Sequence, residues 1–391
     1  MNICLISTGY FPENGGGIGT YIHNLSQGLV KLGHVVHVFT STEQGNDTTD
    51  KVNGVFIHRF VKRTLPIIEH KVPGLFWSLQ LYLAIKKQHK KSAFDLIEFP
   101  NWEAPGFISQ YLMNIPIVVR LHTPFFETLS LDSNQNTFGD KFTCWLEEKS
   151  CKKAQQLVAS THCHAKTIID EYHINKADIE ILPLGIVDKT TEKQANQLTD
   201  NRFRILYVSR LENRKGTLAF LTSLPEIYKQ YKNIQVDIIG SDRPHAPGGV
   251  KFQQYFKQHF NELSEVVTFH GFVDDETLNS FYKKADVFVV PSVYESFGLI
   301  YVEAMMYSLP SIATIGGGIP EVITDGVDGF LTDINDSEQI STRVLELIND
   351  DQQRNKMAVA ARQSFIDKFE YLIMSTKTEN LYQNIITQYA K

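Results

Sequence analysis

Two glutamates, Glu295 and Glu303, stand eight positions apart in the largely apolar stretch PSVYESFGLIYVEAMM, residues 291–306. A buried carboxylate is stable only when it is paired or hydrogen-bonded, so two of them around one helix start suggest a ligand that satisfies both. A strand-like run, DVFVVPS (286–292), leads in and puts Glu295 in the loop that follows. Residues 296–308 read as a helix with Ser296 as its cap. Phe297, Gly298 and Leu299 then form the helix start, where the amides of Gly298 and Leu299 face an anion. Glu303 falls about two turns inside, on the face of Leu299 and Tyr307, so Glu295 is expected to reach further out than Glu303.

Three other places carry chemistry by residue type. In YVSRLENRKG (207–216), Arg210 and Lys215 leave a strand end just before a helix that begins near Gly216. These cations suit a diphosphate, the arginine as a fork and the lysine as a point charge; solvated surface cations would leave the same pattern. In ENGGGIGTY (13–21), Gly15, Gly16 and Gly17 follow the first strand and open the first helix, where backbone can come close to an anion. Thr20 takes the third glycine position of G-x-G-x-x-G and the P-loop lysine is missing, so a flexible loop without a ligand is the alternative. In RLHTPF (120–125), His122 ends a strand; a lone histidine is often structural, but a strand end beside Pro124 favours a role. Separated carboxylates flanking cations and helix amides suit hexose, diphosphate and ribose in a row, the layout of a sugar nucleotide.

The elements that must position these residues follow a βαβ rhythm. NICLIST (2–8), HVVHVFTS (34–41), VFIHRFV (55–61), DLIEFP (95–100), IPIVVRLH (115–122) and QLVAS (156–160) read as strands, and IGTYIHNLSQGLVKLG (18–33) as the first helix. Residues 188–201 are polar without an apolar period and read as a linker. The rhythm restarts with RFRILYVSR (202–210), IQVDIIG (234–240), VVTFHGFV (266–273), DVFVVPS (286–292), PSIATI (310–315) and GFLT (329–332), and residues 337–391 look all-helical. The fold class expected is α/β, with two doubly wound Rossmann-like domains, 1–187 and 188–370, and a ligand cleft between them. Ligands in such sheets sit at the carboxyl ends of strands, where every candidate above lies.

Composition excludes several classes. The chain of 391 residues carries 17 Lys+Arg against 17 Asp+Glu in residues 1–187, and 21 against 27 in residues 188–391. Neither half has the basic surplus of a nucleic-acid binder. Cys4, Cys144, Cys151 and Cys163 form no C-x-x-C pair, and His162-Cys163-His164 lacks a second ligand pair, so no metal site is expected. The first residues have no signal-peptide pattern and no run is apolar enough to span a bilayer, so a cytoplasmic protein is expected. GLFWSLQLYLAIKKQHKK (74–91) ends in Lys86, Lys87, Lys90 and Lys91 and is a candidate for peripheral contact with an anionic membrane at its inner face; an ordinary amphipathic helix is the plainer reading.

The chain resembles the retaining glycosyltransferases of family four, with the GT-B fold. The likeness rests on Glu295-SFGLIYV-Glu303 as their E-x7-E signature, Arg210 with Lys215-Gly216, the glycine-rich loop and the strand-end histidine, all in the family's order from end to end. The resemblance implies a nucleoside diphosphate sugar as donor, a uridine one on family frequency with guanosine as the alternative, and a glycan, lipid-linked or other hydroxyl as acceptor. Arg210 and Lys215 would hold the diphosphate with Gly17 and the Gly298 and Leu299 amides; Glu303 would hold the ribose, Glu295 the transferred sugar, and His122 would lie beside it. It also implies retention at the anomeric carbon without a metal or other cofactor, and no D-x-D triplet occurs in the chain. The acceptor would be read by the first domain, where PNWEAPGF (100–107) and TPFFETL (123–129) offer aromatics for sugar stacking or for the core. A C-terminal helix, about 371–391, would cross back onto that domain. A sugar-nucleotide epimerase or hydrolase on the same fold, or a non-catalytic sugar-binding protein, are the alternatives; released nucleotide without a glycosidic product would favour the first.

Overall fold

The computed structural model describes residues 1–13, 16–43, 45–63, 71–131, 137–190 and 201–390. Gly15 and most of the expected linker, 191–200, lie outside the described residues. The chain divides into two compact units, Met1–Val187 with Glu370–Lys391, and Asp188–Phe369.

The first unit is built on an eight-stranded sheet: β1 (Asn2–Ser7), β2 (Val35–Thr42), β3 (Thr48–Val52), β4 (Val55–Val61), β5 (Leu96–Pro100), β6 (Ile117–Arg120), β7 (Gln156–Ala159) and β8 (Ile179–Ile181). Their spatial order is β3-β4-β2-β1-β5-β6-β7-β8, and every pair is parallel except β3 with β4. The central strands are buried almost throughout and so read as mostly apolar runs, interrupted by the buried Glu98 in β5 and Arg120 at the end of β6. β3 escaped the sequence reading because it is polar and exposed throughout. Its signal was the turn: Asn53 and Gly54 take φ of 49 and 87°, the left-handed pair a two-residue hairpin turn requires. The three-residue β8 was also missed; it is too short to show a period.

The second unit holds six parallel strands, β9 (Phe203–Val208), β10 (Ile234–Ile239), β11 (Val267–Gly271), β12 (Val287–Val289), β13 (Ser311–Thr314) and β14 (Gly329–Thr332), in the order β11-β10-β9-β12-β13-β14. In each unit the chain winds out from one central strand and then returns to its other side. The switch points fall between β1 and β5 and between β9 and β12. Helix-to-strand crossovers diverge there, which leaves the strand ends open to a ligand.

The C-terminal helix Tyr371–Tyr389 completes the first unit. It lies so close to the helix Gly16–Lys31 that a Cβ on Gly28 would stand 1.9 Å from the Ser375 hydroxyl. The Tyr382 hydroxyl donates to the fully buried Glu98 at 2.7 Å, and Tyr21 donates to the other oxygen at 2.7 Å. Burial pushes the Glu98 carboxyl up, and Arg120 and the two hydroxyls oppose that rise.

Candidate functional site

In the second unit, the loop after β9 folds back on itself through Thr217. Its hydroxyl accepts the Glu212 N–H at 3.1 Å and donates to the Glu212 carbonyl at 2.9 Å. The single turn Asn213–Lys215 ends at Gly216 with φ +67°, where a Cβ would stand 1.8 Å from the Pro291 carbonyl oxygen. Only glycine lets the β9 loop close on the β12 loop this tightly.

That closure brings Lys215 onto Glu295. The ammonium lies 2.5 Å from Glu295 Oε1, which also accepts the Ser292 hydroxyl at 2.9 Å. Arg214 Nη1 lies 3.8 Å from Glu295 Oε2 and donates to the Tyr294 carbonyl at 3.3 Å. Arg210 pairs with Glu212 at 3.0 Å, its side chain 60% exposed. Three cations thus share two carboxylates. Burial raises the Glu295 pKa, but Lys215 and Arg214 outweigh it and hold the group below the usual carboxylate range. Lys215 moves the same way for the opposite reason: burial first, then Arg214 and Arg210, lower its pKa against the pull of Glu295. The cluster has too much positive charge for the anions it contains.

The helix beyond Glu295 starts later than the sequence suggested. It spans Leu299–Met306, and its N-cap is Gly298 at φ 93°, not Ser296. A Cβ on Gly298 would meet the Tyr301 ring at 2.6 Å, so a tight left-handed turn rather than a serine cap sets the entry. The Tyr301 N–H donates to the Gly298 carbonyl at 3.0 Å, while the helix itself supplies no acceptor for the amides of Leu299 and Ile300. The Phe297 ring is buried against Phe369, with centroids 5.9 Å apart, so its side chain belongs to the core. Glu303 is the fifth helical residue and accepts the Tyr282 hydroxyl at 3.1 Å. The Tyr282 ring stacks on Tyr307 at 5.2 Å. Burial raises the Glu303 pKa, and the Tyr282 hydroxyl and Lys189 oppose that rise without reversing it. Contrary to the expectation that Glu295 reaches further out, Glu295 is buried and clamped while Glu303 is half-buried.

Sequence reasoning missed two components. Arg214 was read past between Arg210 and Lys215. The other is Gly316-Gly317-Gly318, after β13. The Gly318 N–H donates to the Glu295 carbonyl at 2.7 Å, and a Cβ on Gly317, at φ +65°, would come 2.3 Å from that same oxygen. Three glycines after a strand were the signal.

The first unit presents its own strand ends. Gly16 and Gly17 open the helix Gly16–Lys31, both exposed, with Gly16 at φ +58°. His122 lies two residues beyond β6. Its backbone N–H donates to Asn101 Oδ1 at 2.7 Å and its ring meets Tyr21 edge-on at 5.5 Å. Nε2 is buried without a hydrogen-bond partner. Burial, then Arg120 and His164, push the His122 pKa well down, so the imidazole is neutral. Among the described residues, no group of three or more His, Cys, Asp or Glu is placed to hold a metal ion.

Two doubly wound units, with a cation-rich loop closed on the loop of Glu295 at the switch point of the second, define a two-domain α/β protein. The family model "Glycosyltransferase Family 4" matches residues 15–190, and "Glycosyl transferases group 1" matches residues 188–364. An uncharacterized glycosyltransferase of Methanocaldococcus jannaschii is 24% identical over 98% of each chain. The D-inositol 3-phosphate glycosyltransferase of Paenarthrobacter aurescens is 28% identical over 88% of this chain and 86% of its own. Sucrose-phosphate synthase of Thermosynechococcus elongatus superposes with a TM-score of 0.79 at 21% identity, over 99% of both chains. Anabaena HepE, solved with UDP and glucose, gives 0.73 at 19% identity, over 98% of this chain and 99% of its own. The chain belongs to the family-four glycosyltransferases and has their GT-B fold of two Rossmann-like domains.

Proposed function

We propose that this glycosyltransferase moves a hexose-type sugar from a nucleoside diphosphate sugar to a hydroxyl of a glycan or lipid-linked acceptor, with retention and without a metal, in cell-surface glycan synthesis. The observation that carries this is the uncompensated charge around Lys215: three cations and a helix start against two carboxylates. A diphosphate supplies the missing anion. Arg210, the most exposed of the three, would meet it first; Lys215 would then turn from Glu295 towards it. As the anomeric carbon–phosphate bond breaks, Lys215, Arg214 and the helix-start amides stabilise the charge that builds on the leaving oxygen. The acceptor oxygen bonds to the anomeric carbon on the same face, and its proton passes to the leaving diphosphate. Glu295, released from Lys215, is free to hold the transferred sugar, and Glu303 with Tyr282 beside it suits the ribose hydroxyls. Neutral His122 offers a hydrogen bond without adding charge near an electron-poor sugar.

UDP-sugars are the first donors to test, since HepE binds UDP. The acceptor is assigned to the first unit. No helix among the described residues is long and apolar enough to cross a membrane. Action on the cytoplasmic side with peripheral membrane contact fits the helix Leu75–His89, where Leu79 and Leu83 are exposed near its lysine-rich end. The test is a mass-spectrometric screen of nucleotide sugars against acceptor pools, run with and without chelator, with NMR of the first-formed anomer. Transfer that vanishes in chelator, or an inverted anomer, would overturn the mechanism; free nucleotide without a glycosidic product would overturn the transferase.

A further inference from the structure

One carboxyl group ties together the two strand-end loops of the first unit from beneath. Glu147, in the helix Phe138–Lys153, is fully buried. Its Oε1 accepts the Glu103 N–H at 2.9 Å, and its Oε2 accepts the Phe125 N–H at 3.0 Å and the Tyr172 hydroxyl at 3.3 Å. Glu103 belongs to the loop after β5, Phe125 to the segment after β6 that also carries His122. The first loop is unusual: Glu103 and Ala104 take φ of 57 and 43°, a region non-glycine residues avoid unless their surroundings hold them there. A second bridge runs alongside. Asn101, also fully buried, gives its side-chain oxygen to the His122 N–H at 2.7 Å and its own N–H to the Arg120 carbonyl at 3.0 Å. Between the bridges, the Trp102 and Phe125 rings meet edge-on at 5.4 Å.

We infer that Glu147 is a positioning residue, whose carboxyl group holds both loops in the register that brings His122 and Trp102 to the acceptor. This rests on the assignment of the acceptor to the first unit. A purely structural position at the centre of a helix–sheet interface would be served by an apolar side chain; a buried carboxyl there is unfavourable unless its oxygens are used. Here they take two backbone amides from two different loops, neither of which belongs to the helix that carries Glu147.

The groups facing it are Tyr172, the backbone and side chain of Glu103, and Cys144 and Cys151 of its own helix. Burial pushes its pKa up to about 8. The three contacts fit both protonation states. Neutral, the Oε2 hydroxyl donates to the Tyr172 oxygen while still accepting from Phe125. Ionised, Tyr172 turns its own proton to Oε2 and the two amide bonds become charge-assisted and stronger.

The test compares the full-length wild type with Glu147→Gln and Tyr172→Phe by hydrogen–deuterium exchange. In Glu147→Gln the side-chain NH2 must face one of the two amides, so one loop loses its acceptor. Peptides covering 101–106 and 121–129 should then exchange about tenfold faster or more, while UDP affinity, read by calorimetry, stays unchanged. Tyr172→Phe keeps both amide bonds, so the same peptides should stay within about threefold of wild type. Wild-type tryptophan fluorescence should show a step with a midpoint near 8, the value set for Glu147; the step should vanish in Glu147→Gln and in Trp102→Phe. Unchanged loop exchange with an unchanged fluorescence step in Glu147→Gln overturns the inference, as does faster exchange spread evenly over the unit. These readouts need no acceptor, so loosened loops support the latch even if the product screen fails and sinks the acceptor assignment instead.

Discussion

Replacing Lys215 by methionine keeps the length of the side chain and removes its charge. The Lys215 and Glu295 side chains are only 12% and 11% exposed, so solvent screens their pairing weakly. If the diphosphate displaces Glu295 from Lys215, the variant loses one charge-assisted hydrogen bond to the ligand, about 1.5–3 kcal/mol, or roughly ten- to 150-fold in affinity for UDP. It also leaves buried Glu295 with only the more distant Arg214 and the Ser292 hydroxyl, and breaking a buried pair costs about 3–5 kcal/mol of stability. Glu295→Gln acts in the other direction on binding: it frees Lys215 from its competitor, so UDP affinity should hold or rise although the fold weakens. The double variant should be more stable than Lys215→Met alone, because no uncompensated carboxylate remains. Calorimetry with UDP and denaturant midpoints on the four proteins read both effects. If Lys215→Met binds UDP like wild type, the diphosphate does not sit on this cluster. If Glu295→Gln loses UDP while Lys215→Met keeps it, Glu295 contacts the nucleotide and the displacement reasoning is wrong.

Glu303→Ala should weaken UDP by about ten- to 150-fold with little change in kcat, because it removes a contact to a ribose that does not react; unchanged UDP affinity would remove Glu303 from the site. The Lys215 pKa lies below its ordinary value in the free protein and should rise when a diphosphate arrives. Binding therefore takes up protons at alkaline pH and weakens as pH climbs through the Lys215 pKa, which calorimetry in buffers of different ionisation enthalpy will show. Gly216→Ala places a Cβ 1.8 Å from the Pro291 carbonyl at φ +67°, so thermal denaturation should report a loss of about 2 kcal/mol or more. Tyr382→Phe strips one of two hydroxyl donors from buried Glu98 and should lower stability by about 1.5–3 kcal/mol, with UDP affinity unchanged.

The sequence by itself determined the strand–helix rhythm, the placing of candidate residues at strand ends, and the family. Buried parallel strands are largely apolar on both faces, so β1, β9 and β10 stand out in a one-dimensional reading even though Arg204, Gln235 and Asp237 interrupt the last two. The hairpin strand β3 and the short β8 do not, because an exposed polar strand and a three-residue strand have no such pattern. What only the tertiary structure decided is which charge meets which. Lys215 and Glu295 are 80 residues apart, and nothing local says that Gly216 and the glycine run 316–318 let their loops close until the two side chains touch. The chain alone therefore suggested two free cations and two reaching carboxylates, whereas the fold pairs one with the other and leaves Arg214 beside them. Glu147 shows the same limit: its raised pKa and its hold on Glu103 and Phe125 come from burial against segments 44 and 22 residues away, which sequence spacing does not encode. Pairing of charges depends on distance in space and on exclusion of water, and both are properties of the folded chain.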